Sequence, residues 1–255
     1  MKRLRRVPLM AAAPLLAVVA LLAWVFASPI GAGPDDDYHL VSTWCAGSMA
    51  DEVCAPVEGA ERADHRIPRA LAEISCFERE PAQSAACQHE LFAGELTSRF
   101  VDTDRGNFYG EYPPLYYAVM SVFTSHDVQA SGLVMRVFTV LLFAGILTAL
   151  YLLLPVDRRP TLLIGWAVTT LPLGVFLLAS NNPSAWAAIG VGTSWIALLG
   201  YFETGGARRI GLGAIYALAM LMASGSRGDA AVYAGFATAL VLLYTFRPKS
   251  RGYWL

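Results

Sequence analysis

Six long apolar runs constrain this chain more than any other feature. Val7–Ala27 is a stretch of 21 residues without a charged side chain, and about 20 apolar residues cross a bilayer as a helix. Only 15% of all residues are charged, whereas soluble domains carry about a quarter. The other five runs lie approximately at Leu133–Leu154, Leu162–Ser180, Ser184–Phe202, Ile210–Ser226 and Ala230–Phe246. The sequence therefore predicts an all-α polytopic membrane protein with about six transmembrane helices.

The first run follows a basic start, Met1–Arg6, which also fits the basic region of a signal peptide. The apolar stretch is longer than the roughly 7–15 residues of a signal core. A proline follows the small residues of Ala27–Pro29, which makes a poor cleavage context. These features favour an uncleaved first helix.

Basic residues predict the orientation, because cytoplasmic loops carry an excess of lysine and arginine. With the amino terminus inside, the inner segments hold 11 of the 19 basic residues and two of the 20 acidic ones. Every short loop agrees with this choice. We therefore expect a multi-pass membrane protein with both termini in the cytoplasm.

The apolar runs divide the chain into three parts. Residues 1–27 form a cytoplasmic basic start and the first helix, residues 28–130 an insertion on the outer side, and residues 131–255 a five-helix transmembrane region. The insertion is too short and too polar to predict an independent domain. Its segments Arg66–Glu80 and Ala85–Arg99 are predicted to form amphipathic helices lying along the membrane.

All four cysteines, Cys45, Cys54, Cys76 and Cys87, lie in this insertion. Cysteines confined to the outer side are typical of disulfides in an oxidising compartment. Of the three pairings that four cysteines allow, we expect the local one, Cys45–Cys54 with Cys76–Cys87. A zinc site is disfavoured, because there is no Cys-x-x-Cys pair and no close Cys/His spacing.

Three polar segments meet the outer side in this topology, namely Asp35–His39, Ser180–Ser184 and Ser224–Asp229. Ionisable groups close to a bilayer are costly and tend to be functional. In the first segment, a carboxylate can be a general base, and a pair can hold a divalent cation such as Mg or Mn. The simpler interpretation is a solvated charge run that caps the next helix. His39 can orient a carboxylate, bind phosphate or make a surface contact.

The other two segments also have two interpretations each. Arg227 and Asp229 can form an ion pair that stabilises a tight turn. Alternatively, Arg227, with Arg136 or Arg105, can hold a lipid-linked phosphate, because the guanidinium fork matches phosphate oxygens. For Asn182, a turn between helices is the favoured interpretation. The predicted substrate-binding residues are His39, Tyr112, Arg136, Asn182, Arg227 and Asp229.

The segment Tyr109–Tyr117 is rich in tyrosine and contains two prolines. Tyrosine is common at membrane interfaces, because its ring is apolar and its hydroxyl is polar. The segment is either an interfacial anchor or a re-entrant or surface helix that closes a substrate groove. Both interpretations remain open at the level of sequence.

Three motifs carry a resemblance to a known family. Pro34–His39 resembles the Pro-Asp-Glu-x-x-His signature of a family of bacterial multi-spanning membrane proteins of unknown function, which are similar to GT-C glycosyltransferases. Tyr112–Tyr117 resembles the Pro-Pro-Leu-Tyr-Tyr segment of that family, and Asn182–Ser184 resembles its Asn-Pro-Asp motif. Asp36 replaces the usual Glu, and Ser184 replaces the usual Asp.

The resemblance implies an enzyme of the bacterial cell membrane that takes a sugar from a polyprenyl-phosphate donor. The acceptor would be a hydroxyl of an envelope glycan, lipid or protein on the outer face. Asp35 would be the general base, Asp36 a helper or cation ligand, and His39 and Arg227 contacts of the donor phosphate. The implied partners are the bilayer, the lipid-linked sugar and the acceptor, with no nucleic acid.

Two other classes remain open. The family's proteins usually continue for several more helices, so the resemblance implies a fragment, a truncated frame or a reduced member. The chain could then be a non-catalytic scaffold or subunit that binds a membrane protein partner through its disulfide-bonded insertion, or an inactive fragment. A transporter ranks last, because Arg136 is the only charge deep within a predicted span.

Overall fold

The computed structural model describes residues 9–59, 65–170 and 172–246, with side chains from residue 14 onward. The twelve α-helices of this part are α1 Leu9–Ala27, α2 Asp36–Cys45, α3 Ala50–Val53, α4 Arg69–Ala72, α5 Gln88–Phe92, α6 Leu115–Met120, α7 Val128–Leu153, α8 Arg159–Thr169, α9 Pro172–Leu178, α10 Ser184–Glu203, α11 Gly206–Ser226 and α12 Gly228–Thr245. The strands are β1 Ala55–Pro56, β2 His65–Pro68 and β3 Phe100–Thr103. Short 3-10 helices lie at Ala85–Cys87, Leu96–Ser98, Ser121–Phe123 and Val156–Arg158.

Four helices of the described residues, α7, α10, α11 and α12, are long and apolar enough to cross a membrane. A fifth candidate span is the stretch from Val156 to Leu178, which includes α8 and α9 and bends by 96° between residues 169 and 172. The described side chains of α1 form a shorter apolar stretch, Pro14–Ala27. The structure therefore confirms a helical membrane protein with four candidate spans, and the count of six stays a prediction.

Small residues let α10 and α11 approach closely, as is common between helices in membranes. A Cβ added at Gly190 of α10 would lie 2.5 Å from Ala219 O and 2.6 Å from Ala223 N, both on α11. Ala219 and Ala223 are fully buried. Glycine at position 190 therefore sets the distance between these two helices.

We expect Gly190→Ala to lower the free energy of unfolding by about 1–3 kcal/mol, because the added methyl group would overlap the α11 backbone. Gly235→Ala on α12 is the matched control, since nothing lies within 4 Å of a Cβ there. That change should be neutral or slightly stabilising. Unfolding of both variants in mixed micelles measures the difference, and equal stability would contradict the close packing at Gly190.

The region between α1 and α7 contains a three-stranded antiparallel sheet in the order β1-β2-β3. Its disulfides link Cys45 to Cys54 and Cys76 to Cys87, as the local pairing predicted. The predicted amphipathic helices Arg66–Glu80 and Ala85–Arg99 are wrong as continuous elements. The first begins in β2, where Arg66 to Pro68 pair with β3, and continues only into the one-turn helix α4. The second breaks into α5 and two 3-10 turns.

Two side chains fasten this region to the helices around it. Gln88 donates from Nε2 to Ile30 O and, at 2.8 Å, to Ile74 O. Trp44 of α2 is fully buried and donates from Nε1 to Ser125 O at 3.2 Å. The first residue ties α5 to the segment after α1, and the second ties α2 to the segment before α7.

Candidate functional site

The acidic segment begins α2 with a tight turn that separates its three carboxylates. Gly33 O accepts from Asp36 N at 3.1 Å, and Gly33 N donates to Asp36 Oδ2 at 3.0 Å. A Cβ at Gly33 would lie 2.4 Å from Asp36 Oδ1, so glycine gives this turn its room. Asp35 has a left-handed φ of 54°, which is uncommon for a residue with a side chain. As a result, the Asp35 side chain is 61% exposed, whereas Asp36 is 0% exposed.

Arg136 of α7 holds the buried carboxylate. Its Nη2 donates to Asp36 Oδ2 at 3.2 Å and to Pro29 O at 3.0 Å. Its Nη1 donates to Ser28 O at 2.9 Å, and its Nε donates to Asn181 Oδ1 at 2.6 Å. Arg136 thereby joins the end of α1, the start of α2 and the segment before α10.

This network buries Asp36 and Arg136, whereas their predicted roles require contact with a substrate or an ion. Arg136 is 1% exposed, and four of its five N–H groups already have acceptors. Burial raises the pKa of Asp36, while the Arg136 guanidinium and the Gly33 N–H oppose that rise. Asp36 is thus a buried anchor of α2 and does not lie where a helper carboxylate or cation ligand would. Arg136 does not lie where it would meet a donor phosphate.

The other two carboxylates of the segment share one guanidinium. Arg105 donates from Nη2 to Asp35 Oδ1 at 3.1 Å and to Asp37 Oδ1 at 2.9 Å, and its Nε bonds Asp37 Oδ2. The bonds to Asp37 are the main reason that the pKa of Arg105 is raised. Within the described ranges, Asp35 Oδ2 has no protein donor. Asp35 therefore has an exposed side chain with one oxygen that no described donor occupies.

His39 lies one turn along α2, inside a cluster of tyrosine rings. Its Nδ1 is 2.9 Å from Tyr117 Oη. The rings of Tyr38 and Tyr112 meet the imidazole edge-on, with centroids 5.3 and 5.1 Å away. The side chain is 1% exposed, so His39 supports the surface from beneath and does not form it.

Four charged side chains act on this buried imidazole. Burial lowers the pKa of His39 to about 4, with Arg227 and Arg105 adding to the effect and Asp35 and Asp37 opposing it. His39 is therefore neutral at pH 7 and supplies no positive charge to a phosphate. Because the Tyr112 ring lies 5.1 Å from the His39 ring and 5.5 Å from the Arg227 guanidinium, the α2 start and the α11–α12 connection belong to one site.

Arg227, between α11 and α12, connects three elements. It donates to both carboxylate oxygens of Asp229 at 2.9 and 3.1 Å. Nη1 donates to Ser184 Oγ at 3.1 Å. The guanidinium lies 5.5 Å from the Tyr112 ring centroid, a cation–π distance. The structure thus brings the predicted residues Tyr112, Arg227 and Asp229 together.

Asn182 has a bracing role at the edge of this site. Its Nδ2 donates to Pro34 O at 2.7 Å, and its Oδ1 accepts from Ser184 N at 2.8 Å. Both amide groups are used within the protein, and the residue is buried. Asn182 therefore fixes the loop before α10 against the turn that carries Asp35.

Several residues of this arrangement were not singled out from the sequence. Asn181, Asn107 and Tyr117 all lie in it, and the Tyr117 hydroxyl meets His39 across 78 positions of the chain. Their only sequence signal is proximity to motifs, since Asn181 precedes Asn182 and Tyr117 ends the tyrosine-rich segment.

The metal prediction finds no defined ligand set. Among the described residues, no group of three His, Cys, Asp or Glu side chains is arranged to hold a metal ion. Two open cavities of about 470 and 720 Å³ lie elsewhere, where both are lined by Ala70, Leu91 and Leu96. Neither of these two cavities is lined by a residue of the candidate site.

The apolar helices, the two disulfides and this polar surface at their ends define a polytopic α-helical membrane protein. The chain belongs to the family described as "Predicted membrane protein (DUF2142)", whose model matches residues 18–255. Comparisons with curated proteins and with solved structures found no match.

Proposed function

We propose that the surface formed by Asp35, Asp37, Arg105, Tyr112 and Arg227, here called the acid–aromatic face, is a sugar-transfer site. It would act on the outer side of the bacterial cell membrane, where the basic loops predict that it lies. The donor would be a sugar on a polyprenyl phosphate, and the acceptor a hydroxyl of an envelope glycan, lipid or protein.

The observation that carries this proposal is that the Tyr112 ring joins α2, which follows an exposed carboxylate, to the arginine fork of Arg227. The Asp35 side chain is 61% exposed, and its Oδ2 has no donor in the described part of the chain. The Tyr112 ring lies 5.1 Å from the His39 ring of α2 and 5.5 Å from the Arg227 guanidinium. A general base and a phosphate-binding group are the two functions that such a transfer needs.

The reaction balances with these two residues. Asp35 takes the proton of the acceptor hydroxyl as that oxygen bonds to the anomeric carbon of the sugar. The bond from the anomeric carbon to the phosphate oxygen breaks, and the polyprenyl phosphate leaves with the electron pair. Arg227 stabilises the charge that develops on the leaving phosphate.

Tyr112 and Ser184 support the phosphate-binding role of Arg227. The Arg227 guanidinium lies over the Tyr112 ring at 5.5 Å from its centroid, and Ser184 Oγ accepts from Nη1. A donor phosphate would exchange with Asp229, whose bond to Arg227 lies at the partly exposed edge of the protein. Exchange of one anion for another preserves the charge balance at the arginine.

Purified protein in lipid nanodiscs, given a polyprenyl-phosphate sugar and an envelope glycan, tests the proposal. Asp35→Asn should lower the transfer rate about a hundredfold, which is within the range for a general base. Asp51→Asn is the matched control, because Asp51 is an exposed first-turn acid of α3. Its activity should match the wild type.

Equal rates for Asp35→Asn and the wild type would remove Asp35 from the mechanism. No transfer by the isolated protein, together with co-purification of a polytopic partner, would replace the proposal with the scaffold function.

A further inference from the structure

The Asn107 side chain holds the backbone of Tyr112 at two points. Its Nδ2 donates to Tyr112 O at 2.8 Å, and its Oδ1 accepts from Tyr112 N at 2.9 Å. Together the two bonds close the loop between residues 107 and 112, which turns at Gly110 with a φ of 75°. A primary amide suits this place, because it offers one donor and one acceptor side by side.

The same residue is fixed to the helix that carries the acidic segment. Asn107 N donates to Ser42 Oγ at 2.8 Å, and Ser42 Oγ donates to Tyr38 O at 2.6 Å. Asn107 therefore connects the Tyr112 backbone to α2 through a continuous series of hydrogen bonds. The loop cannot shift relative to α2 without breaking at least one of them.

From these contacts we infer that Asn107 is the positioning residue that places the Tyr112 ring between His39 and Arg227. The Tyr112 ring is 5.1 Å from the His39 ring, and its centroid is 5.5 Å from the Arg227 guanidinium. Because the Tyr112 ring lies next to both His39 and Arg227, fixing the ring keeps the Arg227 guanidinium in one orientation. Asn107 thus acts on the donor phosphate through Tyr112 and touches no substrate itself.

The substrate in this inference rests on the proposed sugar transfer. The first measurement of its test needs no substrate and is independent of that proposal. Asn107→Asp keeps the shape and the acceptor but places a carboxylate oxygen against Tyr112 O. Hydrogen exchange of the amides in residues 109–117 should become about fivefold to tenfold faster, as loss of one hydrogen bond implies. The exchange rates of the amides in α2 should not change. Ser84→Ala is the control, because it removes another side chain–backbone hydrogen bond between α1 and α7. It should change the exchange rates neither in residues 109–117 nor in α2.

The second arm measures binding of geranyl phosphate, a short prenyl phosphate without sugar, by calorimetry. Asn107→Asp should raise the Kd about fivefold to tenfold. In a Tyr112→Ala background the same change should have no further effect, because Asn107 acts only through that ring. In the transfer assay, the KM for the lipid-linked sugar should rise and kcat should stay within about twofold.

The outcomes separate the two proposals. Unchanged exchange in residues 109–117, or an Asn107→Asp effect that persists in Tyr112→Ala, would overturn the role of Asn107. Absent sugar transfer with the expected exchange and binding results would overturn the proposed function and leave Asn107 as the residue that positions Tyr112.

Discussion

Arg136→Met should lower the free energy of unfolding by roughly 3–5 kcal/mol, because it leaves the Asp36 carboxylate buried without its partner. Asp36 is 0% exposed and Arg136 1% exposed, at an N–O distance of 3.2 Å. The substitution also removes the donors of Ser28 O and Asn181 Oδ1 and one of the two donors of Pro29 O. Unfolding in mixed micelles, followed by circular dichroism, measures the change.

Arg66→Met is the matched control, because Arg66 and Asp102 are also 3.2 Å apart but 58% and 46% exposed. Exposed ion pairs contribute roughly 0–1 kcal/mol. Adding Asp36→Asn to Arg136→Met should recover part of the lost stability, since a neutral amide costs less to bury than an unpaired charge. A loss in Arg136→Met no larger than that of Arg66→Met would show that burial does not control the strength of this pair.

Stability should also depend on pH through His39. The pKa of this imidazole is about 4 in the folded protein, against 6.5 for an unperturbed histidine, because burial disfavours its charged form. Between these values the unfolded chain binds more protons than the folded one, so stability rises with pH. The contribution of His39 is complete above pH 6.5 and is lost as the pH falls through 4. Its size is about 3 kcal/mol, at 1.36 kcal/mol per pKa unit.

The variant that tests this prediction is His39→Gln, which removes the titrating group. The free energy of unfolding, measured from pH 7.5 to pH 4, should fall by about 3 kcal/mol less in this variant than in the wild type. His89→Gln is the control, because His89 is exposed on α5. A wild-type slope in His39→Gln would show that other groups cause the pH dependence.

Sequence reasoning predicted the long elements better than the short ones. The predicted runs starting near Leu133, Ser184, Ile210 and Ala230 each correspond to a candidate span, because a bilayer crossing needs only a long apolar stretch. The run Leu162–Ser180 is less regular, since α8 and α9 meet at a 96° bend. The segment Arg66–Glu80 was assigned the wrong element, because pairing with β3 is a long-range contact that local periodicity does not contain.

The candidate site shows the same division. The sequence located Asp35, Asp36 and His39 at the exit of the first helix and Arg227 in a tight connection, and the structure brings these segments together around the Tyr112 ring. It could not assign the three neighbouring acids to different environments. That separation follows from the turn at Gly33, which buries Asp36 against Arg136 and leaves Asp35 exposed.

The sequence by itself determined that this chain is a helical membrane protein with local disulfides, because apolar length and cysteine spacing are properties of short segments. Only the tertiary structure decided which polar side chains are accessible and which are buried anchors. Arg136, predicted to meet a phosphate, instead joins three parts of the chain, and Asn107 acquires a role through two bonds to Tyr112. Burial and hydrogen bonding depend on residues up to 148 positions apart, and no local pattern records them.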